Sequence, residues 1–147
     1  MEKALSKDVK ITMALDYASG TSDRNGATLD MAGYEGVLAV VKFATIAPGA
    51  TTSIKMQSGA AALLGDAADL LGTGITVEDD DDNQIFYIDL FRPQERYVRV
   101  VIDKDGANAV AESAIYYQYN VYSVPVTNNV ADLVTGEFHC SPAEGTA

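Results

Sequence analysis

The sequence predicts an all-β protein: an antiparallel β-sandwich of jelly-roll type with one short helix or ordered loop and extended termini. Roughly seven short runs are rich in Val, Ile, Thr and Tyr, and turn residues separate them, a pattern typical of sandwiches and barrels. At 147 residues the chain is long enough for one domain with a sizeable core. We expect an N-terminal arm at 1–8, a sandwich domain at 9–124 and a C-terminal extension at 125–147.

Three runs in the first half have strand character. Residues 9–15 form the first, and residues 36–46 form a longer second run. The interior of the second run is almost continuously apolar, which predicts a strand that is covered on both faces. Pro48-Gly49 marks a turn before a third run at residues 51–57, so these two strands are expected to form a hairpin.

The stretch from Ser58 to Gly72 is the one helix candidate. Ser58 is a suitable N-cap, and apolar side chains share one face at helical spacing: Leu63, Ala67, Leu70 and Leu71. Gly65 disfavours a long helix, so we expect a short helix or an ordered loop.

The second half contains three further strand candidates. They are residues 84–91, 97–103 and 112–124. In the second of these, strict alternation directs Val98, Val100 and Ile102 inward. Residues 104–108 read as a hairpin loop that leads into the last strand.

Charge and cysteine content restrict the partners and the compartment. The formal net charge is −11, which repels phosphate backbones and anionic lipid and makes nucleic acid and membranes poor partners. Cys140 is the single cysteine, so no intrachain disulfide is expected. No apolar run has the length of a signal peptide or a membrane span, and we expect a soluble protein made in the host cytoplasm.

No arrangement of residues predicts catalysis, a cofactor or a metal. His139 is the single histidine, and adjacent residues in extended chain point to opposite sides, so His139 and Cys140 make a poor base and nucleophile pair. The acidic run at 78–83 departs from the EF-hand pattern at Gln84 and Leu90 and is interpreted as a solvated loop. We expect no enzyme.

Aromatic and basic residues are the better candidates for a contact surface. Tyr116 and Tyr122 share one face of the last strand, where they either cover a second layer of the protein or contact another subunit. Three arginines are expected to cluster near that sheet edge and to pair with acidic loops of a neighbour: Arg92, Arg96 and Arg99. The C-terminal extension adds apolar candidates, namely Val126, Val130, Leu133 and Phe138.

The order of segments resembles a known family. Residues 34–41 (YEGVLAVV) lead through a turn to 53–58 (SIKMQS), and 95–102 (ERYVRVVI) follow. Over about residues 34–124 this order is similar to that in the decoration or cement proteins of tailed-phage capsids, which are also called auxiliary head proteins. The resemblance implies a β-sandwich bound to the outer capsid surface, with the major capsid protein as partner and with no catalytic residues.

The functional hypothesis follows from the acidic sandwich and the resemblance together. We expect a virion protein on the outer capsid surface that stabilises the shell by bridging neighbouring coat subunits. We also expect self-association, with a trimer favoured over a dimer. The alternatives are a tail-tube, fibre or head–tail joining subunit, and a carbohydrate-binding sandwich with Tyr116 and Tyr122 as its platform.

Overall fold

Two antiparallel sheets packed face to face form the protein, which confirms the predicted all-β sandwich. The computed structural model describes residues 4–129, 133–141 and 143–146. Its elements are a single helical turn α1 (Leu5–Asp8) and the strands β1 (Lys10–Gly20), β2 (Arg24–Asn25), β3 (Leu29–Asp30), β4 (Tyr34–Ile46), β5 (Thr52–Gly59), β6 (Ala68–Asp69), β7 (Ile75–Val77), β8 (Ile85–Phe91), β9 (Tyr97–Lys104) and β10 (Val110–Val121).

The two sheets differ in the length of their strands. Sheet A has four strands in the order β1-β10-β4-β8, and its strands are seven residues or longer. Sheet B is built on the β9-β5 pair. The short strands β2 and β3 lie against β9, and β6 and β7 lie against β5. All of these pairs are antiparallel.

Alternation along the strands builds the core between the sheets. Strand β9 buries Val98, Val100 and Ile102 completely, as the sequence predicts. The facing strands of both sheets contribute further buried side chains, including Val37, Val41, Phe43, Ile54, Met56 and Ala114. Because the core is continuous between the sheets, each sheet has one inner face and one outer face.

Both hairpins predicted from turn residues are wrong. Strands β4 and β5 lie in different sheets, and so do β9 and β10. Pro48-Gly49 does turn the chain, and Gly49 has a φ of 82° that suits a residue without a side chain, but the turn crosses from sheet A to sheet B. The two crossings lie side by side, since the Ala47 N–H donates to the Ala109 carbonyl at 2.9 Å.

The stretch at 58–72, where a short helix or an ordered loop is expected, is an ordered loop that contains the short strand β6. Asp66 accepts hydrogen bonds from the Ala60 and Ala61 N–H groups at 2.8 and 3.1 Å, and the bond from Ala60 contributes most to lowering the pKa of this carboxyl. These bonds stabilise a turn conformation of the backbone in place of a helix. Leu64 anchors the loop in the protein, whereas Leu63 is almost fully exposed.

Strand β10 buries its more polar face. Glu112, with no exposed surface, lies 3.0 Å from the Arg24 guanidinium and 2.8 Å from Lys104 Nζ. Tyr116, also fully buried, donates its hydroxyl to the Ala27 carbonyl and accepts from the Val100 N–H. These bonds connect sheet A to residues of the opposite layer, and burial raises the pKa of Tyr116.

Replacing Glu112 by Gln should lower the free energy of unfolding by about 3–5 kcal/mol, because Lys104 would remain buried without its counter-charge. Asp16→Asn is the matched control. Asp16 contacts the same Arg24 at 2.6 Å, but its side chain is 81% exposed, so its loss should cost less than about 1 kcal/mol. Urea unfolding monitored by circular dichroism measures both, and equal costs would contradict the assigned role of Glu112.

Candidate interaction surface

The outer face of sheet A is covered by apolar side chains. Strand register places Met13, Ile115, Val40 and Tyr87 opposite one another in one row across all four strands. A second row joins Ile11, Tyr117 and Leu38 in the same way. The apolar side chains of the outer face of sheet A are these residues together with Ile85, Phe91 and Tyr119, and directly opposite residues contact each other on a shared face.

Much of this face is open to solvent. Met13 and Ile115 are each 36% exposed, and Tyr87 is 65% exposed. Ile85 and Phe91, which lie on the same strand as Tyr87, are 63% and 53% exposed. Isolated exposed apolar residues are common on proteins, but a contiguous patch across four strands indicates an interaction surface.

The outer face of sheet B is polar and hydrogen-bonded within the chain. Lys55 lies 2.9 Å from Asp69 and 2.8 Å from Asp103. Gln57 donates to Asp69 at 2.7 Å and accepts from Arg99 at 2.9 Å. The two outer faces therefore differ in chemistry: sheet B presents paired charges to water, and sheet A presents hydrocarbon and aromatic rings.

One hydrogen bond places a carboxylate within the apolar face. The Tyr119 hydroxyl donates to Asp89, whose strand position lies beside Leu38. Burial raises the pKa of the Tyr119 phenol to about 12, and the negative charge of Asp89 adds to the rise. Asp89 is thereby fixed on the face by a neighbour that remains neutral at physiological pH.

The chain termini border one end of this face. Asn128 donates to the carbonyls of Ser6 and Val9 at 2.9 and 2.8 Å and accepts from the Ile11 N–H at 2.7 Å. The Val126 N–H donates to the Lys7 carbonyl at 2.9 Å. The first residues of the predicted C-terminal extension are thus bound to the predicted N-terminal arm and to the edge of β1.

The structure places the two predicted tyrosines in different environments. Tyr116 is fully buried in the core, so it cannot contact a partner or form a glycan platform with Tyr122. Tyr122, in contrast, is 73% exposed. The sequence left open whether Tyr116 covers a second layer of the protein or contacts another subunit, and its complete burial supports the first alternative. The outward face of β10 is the face with Ile115, Tyr117 and Tyr119.

The predicted arginines pair within the chain. Arg92 contacts Glu35 at 3.0 Å, and Arg96 makes a two-bond contact with Asp30 at 2.9 and 2.8 Å. Arg99 bonds Gln57 on the outer face of sheet B. They therefore do not form one basic cluster that is free for a neighbour, because each is held by a different internal partner.

Residues of the C-terminal extension are mostly exposed. Leu133 is 61% exposed and Phe138 is 50% exposed, with Lys7 Nζ 5.7 Å from the Phe138 ring centre. Val126 is bound to the N-terminal segment through the Lys7 carbonyl. Val130 lies outside the described residues.

His139 and the acidic run have identifiable local roles. His139 lies 2.7 Å from Glu137. In the acidic run, Asp79 accepts from the Gly49 N–H and Asp82 from the Ile46 N–H, both at 2.6 Å, so part of this run holds the turn after β4. Within the described ranges, no group of three or more His, Cys, Asp or Glu residues is arranged to hold a metal ion.

The residues on β1, β4 and β8 that make the apolar face were not predicted from the sequence. The available signal was the run IFYIDLF at 85–91, which is apolar at both odd and even positions and so has no polar side for solvent. The continuous apolar run in β4 likewise indicates a strand with no polar side for solvent. Its outer side is only partly covered, since Leu38 and Val40 retain some exposure.

Comparisons with known proteins identify no family. The sequence matches no protein-family model and no curated protein. Among solved structures, the fold is similar to a chain of the Bacillus endospore appendages, described as a novel family of disulfide-linked pili. That match has 10% identity and a TM-score of 0.46, and it covers 82% of this chain and 97% of the other.

A chain of infectious bursal disease virus, Gx strain, is also similar, with 12% identity and a TM-score of 0.43. The match covers 78% of this chain but 32% of the viral chain. These similarities are too low to indicate a shared function. In the part of the chain that the structure describes, no helix is long and apolar enough to span a membrane.

The Asp89→Asn variant should lower the pKa of Tyr119 from about 12, because the hydrogen-bonded negative charge that disfavours the phenolate is removed. Burial still acts on Tyr119, so its pKa should remain above the ordinary value of about 10. An NMR titration of the tyrosine rings measures this change. Asp103→Asn, on the opposite sheet, is the control and should leave Tyr119 unaffected.

Truncation tests the attachment of the C-terminal segment. A chain that ends at Asn129 should unfold at nearly the same urea concentration as the full chain. A chain that ends at Pro125 loses the bonds made by Val126 and Asn128 and should be less stable by about 1–3 kcal/mol. Equal stability of the two truncated chains would show that these bonds contribute nothing.

Proposed function

We propose that this chain is a structural subunit that binds the outer surface of an assembled viral capsid through the outer face of sheet A. The observation that carries the proposal is the contiguous exposed apolar row of Met13, Ile115, Val40 and Tyr87. Exposed apolar area of this extent costs solubility, and burial of one such side chain is worth about 1.5–3 kcal/mol.

The composition of the face favours a protein partner. It has one cation, Lys42, and one carboxylate, Asp89, within its apolar surface. Aromatic and Met side chains surrounded by polar residues are the composition of protein interface cores. Tyr87 and Tyr117 add large ring area with hydroxyl groups that can bond to a partner's backbone.

The net charge of −11 favours a position outside the shell. Packaged nucleic acid carries a dense negative charge, so an acidic subunit is repelled from the inner surface of a capsid. Residues 34–124 resemble decoration proteins, and this resemblance favours coat subunits as the partner. By covering two neighbouring coat subunits, a sheet face of this width would add contact area across the seam between them.

Exposed apolar residues near the termini provide a second contact. Leu133 and Phe138 are at least half exposed, and Leu5 on α1 is 75% exposed. Linked weak contacts give an overall affinity far above that of each one. A subunit that binds by a broad face and by its terminal segment would therefore remain on the shell even though each contact alone is modest.

The test is co-sedimentation of the purified chain with empty coat shells of the virus that encodes it. Met13→Lys and Ile115→Lys each place a charge within the apolar row of sheet A and should weaken binding at least tenfold, which is about 1.4 kcal/mol. Ser53→Lys places the same charge on the outer face of sheet B and should change binding by less than about twofold.

Circular dichroism and urea unfolding verify that each variant is folded. The proposal fails if the shells bind the Met13 and Ile115 variants as well as the parent chain. It also fails if Ser53→Lys alone abolishes binding, since the contact would then lie on the opposite sheet.

A further inference from the structure

The edges of the two sheets are protected to different degrees. Sheet B ends on both sides in strands of two or three residues, which offer little backbone for pairing. The edge strand β1 is interrupted by two register shifts. It is also bonded at Ile11, Ala14 and Asp16 by groups from Asn128, Ala27 and Arg24.

Strand β8 has none of these protections. Its seven residues pair with β4 without a register shift, from Ile85 to Phe91. No second strand pairs with β8 among the described residues. Proline and lysine are absent from the strand, and its one charged side chain, Asp89, is bonded to Tyr119. A long apolar edge of this kind is a template for another strand.

The hydrogen bonds at the two ends of β8 show which of its backbone groups face β4 and which face the open edge. The Gln84 carbonyl accepts from Phe43 and the Arg92 N–H donates to Glu35, so even-numbered residues bond to β4. The odd-numbered residues therefore direct their N–H and C=O groups to the open edge. These same residues carry side chains of the apolar outer face: Ile85, Tyr87, Asp89 and Phe91.

We propose that β8 pairs antiparallel with β8 of a second copy about a two-fold axis at Ile88. In this register Ile85 lies opposite the second Phe91, and Tyr87 lies opposite the second Asp89. Registers centred on Asp89 would place two carboxylates opposite each other, and those centred on Tyr87 would leave Phe91 unpaired. The chosen register forms about eight main-chain hydrogen bonds.

Charge complementarity favours a second copy as the occupant. The acidic run at residues 78–82 ends two residues before β8, and Arg92 directly follows the strand. Arg92 contacts Glu35 of its own chain at 3.0 Å, but its side chain is 69% exposed and its guanidinium has further N–H donors for a second copy. Antiparallel pairing places Arg92 of each copy opposite Gln84 of the other, beside the acidic run. Opposite charges therefore meet at both ends of the paired strands.

The pair has a consequence for the proposed function but does not depend on it. A two-fold axis perpendicular to the sheet keeps both outer faces on the same side, so two four-stranded sheets become one continuous apolar platform. This arrangement replaces the trimer that the sequence favoured. Because the pairing needs no capsid, it is tested on the purified chain alone.

Cysteine cross-linking tests the register. Ile85→Cys with Phe91→Cys, in a Cys140→Ser background, should give a covalent dimer under mild oxidation. Directly opposite residues have a Cα separation of about 5.5 Å, which a disulfide spans. The two positions are six residues apart on one strand, so they cannot bond within one chain. Each single-cysteine variant should remain a monomer on a non-reducing gel.

Proline substitution tests the open edge. Tyr87→Pro removes an N–H that faces the edge and none that bonds to β4, whereas Tyr87→Val retains the N–H. Sedimentation equilibrium of the parent chain and of Tyr87→Val should show the mass rising from 15.6 kDa toward twice that value with concentration. The Tyr87→Pro variant should remain at the monomer mass with an unchanged circular dichroism spectrum.

Two results would overturn the pairing. One is a parent chain that stays monomeric at all concentrations together with a double-cysteine variant that does not cross-link. The other is a Tyr87→Pro variant that is folded and dimerises as the parent does. A dimer that ignores coat shells would contradict the proposed function while leaving the pairing intact.

Discussion

Three polar side chains on β10 determine which way its aromatic residues face. Glu112 is held between Lys104 and Arg24, and the buried Tyr116 hydroxyl bonds to backbone groups on the opposite layer. Gln118 donates to the Asp30 carbonyl at 2.8 Å. A shift of β10 by one residue would expose these groups and leave Lys104 buried without a counter-charge. The outward position of Tyr117 and Tyr119 depends on this constraint.

The outer faces of the two sheets differ in the side chains that they expose to solvent. The outer face of sheet B has its charges matched on neighbouring strands, as with Lys55 between Asp69 and Asp103. The central strands of sheet A have hydrocarbon on the outer side as well as in the core. A four-stranded sheet with apolar residues on both faces is incompletely buried as a monomer, and this imbalance is what a protein partner would relieve.

The sequence predicted features that depend on local pattern. Strand β9 alternates apolar residues with Arg99 and Asp103, so its inward side was correctly assigned. Strand β10 has no such contrast, and its core face contains Glu112, so the pattern favoured the wrong side. Turn residues located the bends correctly, but they do not specify whether the chain returns to the same sheet or crosses to the other. The apolar face was missed because it is assembled from strands distant in sequence.

Oxidative footprinting of bound and free protein is the most direct test of the outer face of sheet A as the contact surface. Met13 is partly exposed on this face, whereas Met56 is buried and serves as the internal reference. On binding to coat shells, oxidation of Met13 should fall severalfold while Tyr97, on sheet B, reacts as before. Unchanged oxidation of Met13 in the bound state, with protection on sheet B instead, would contradict the account.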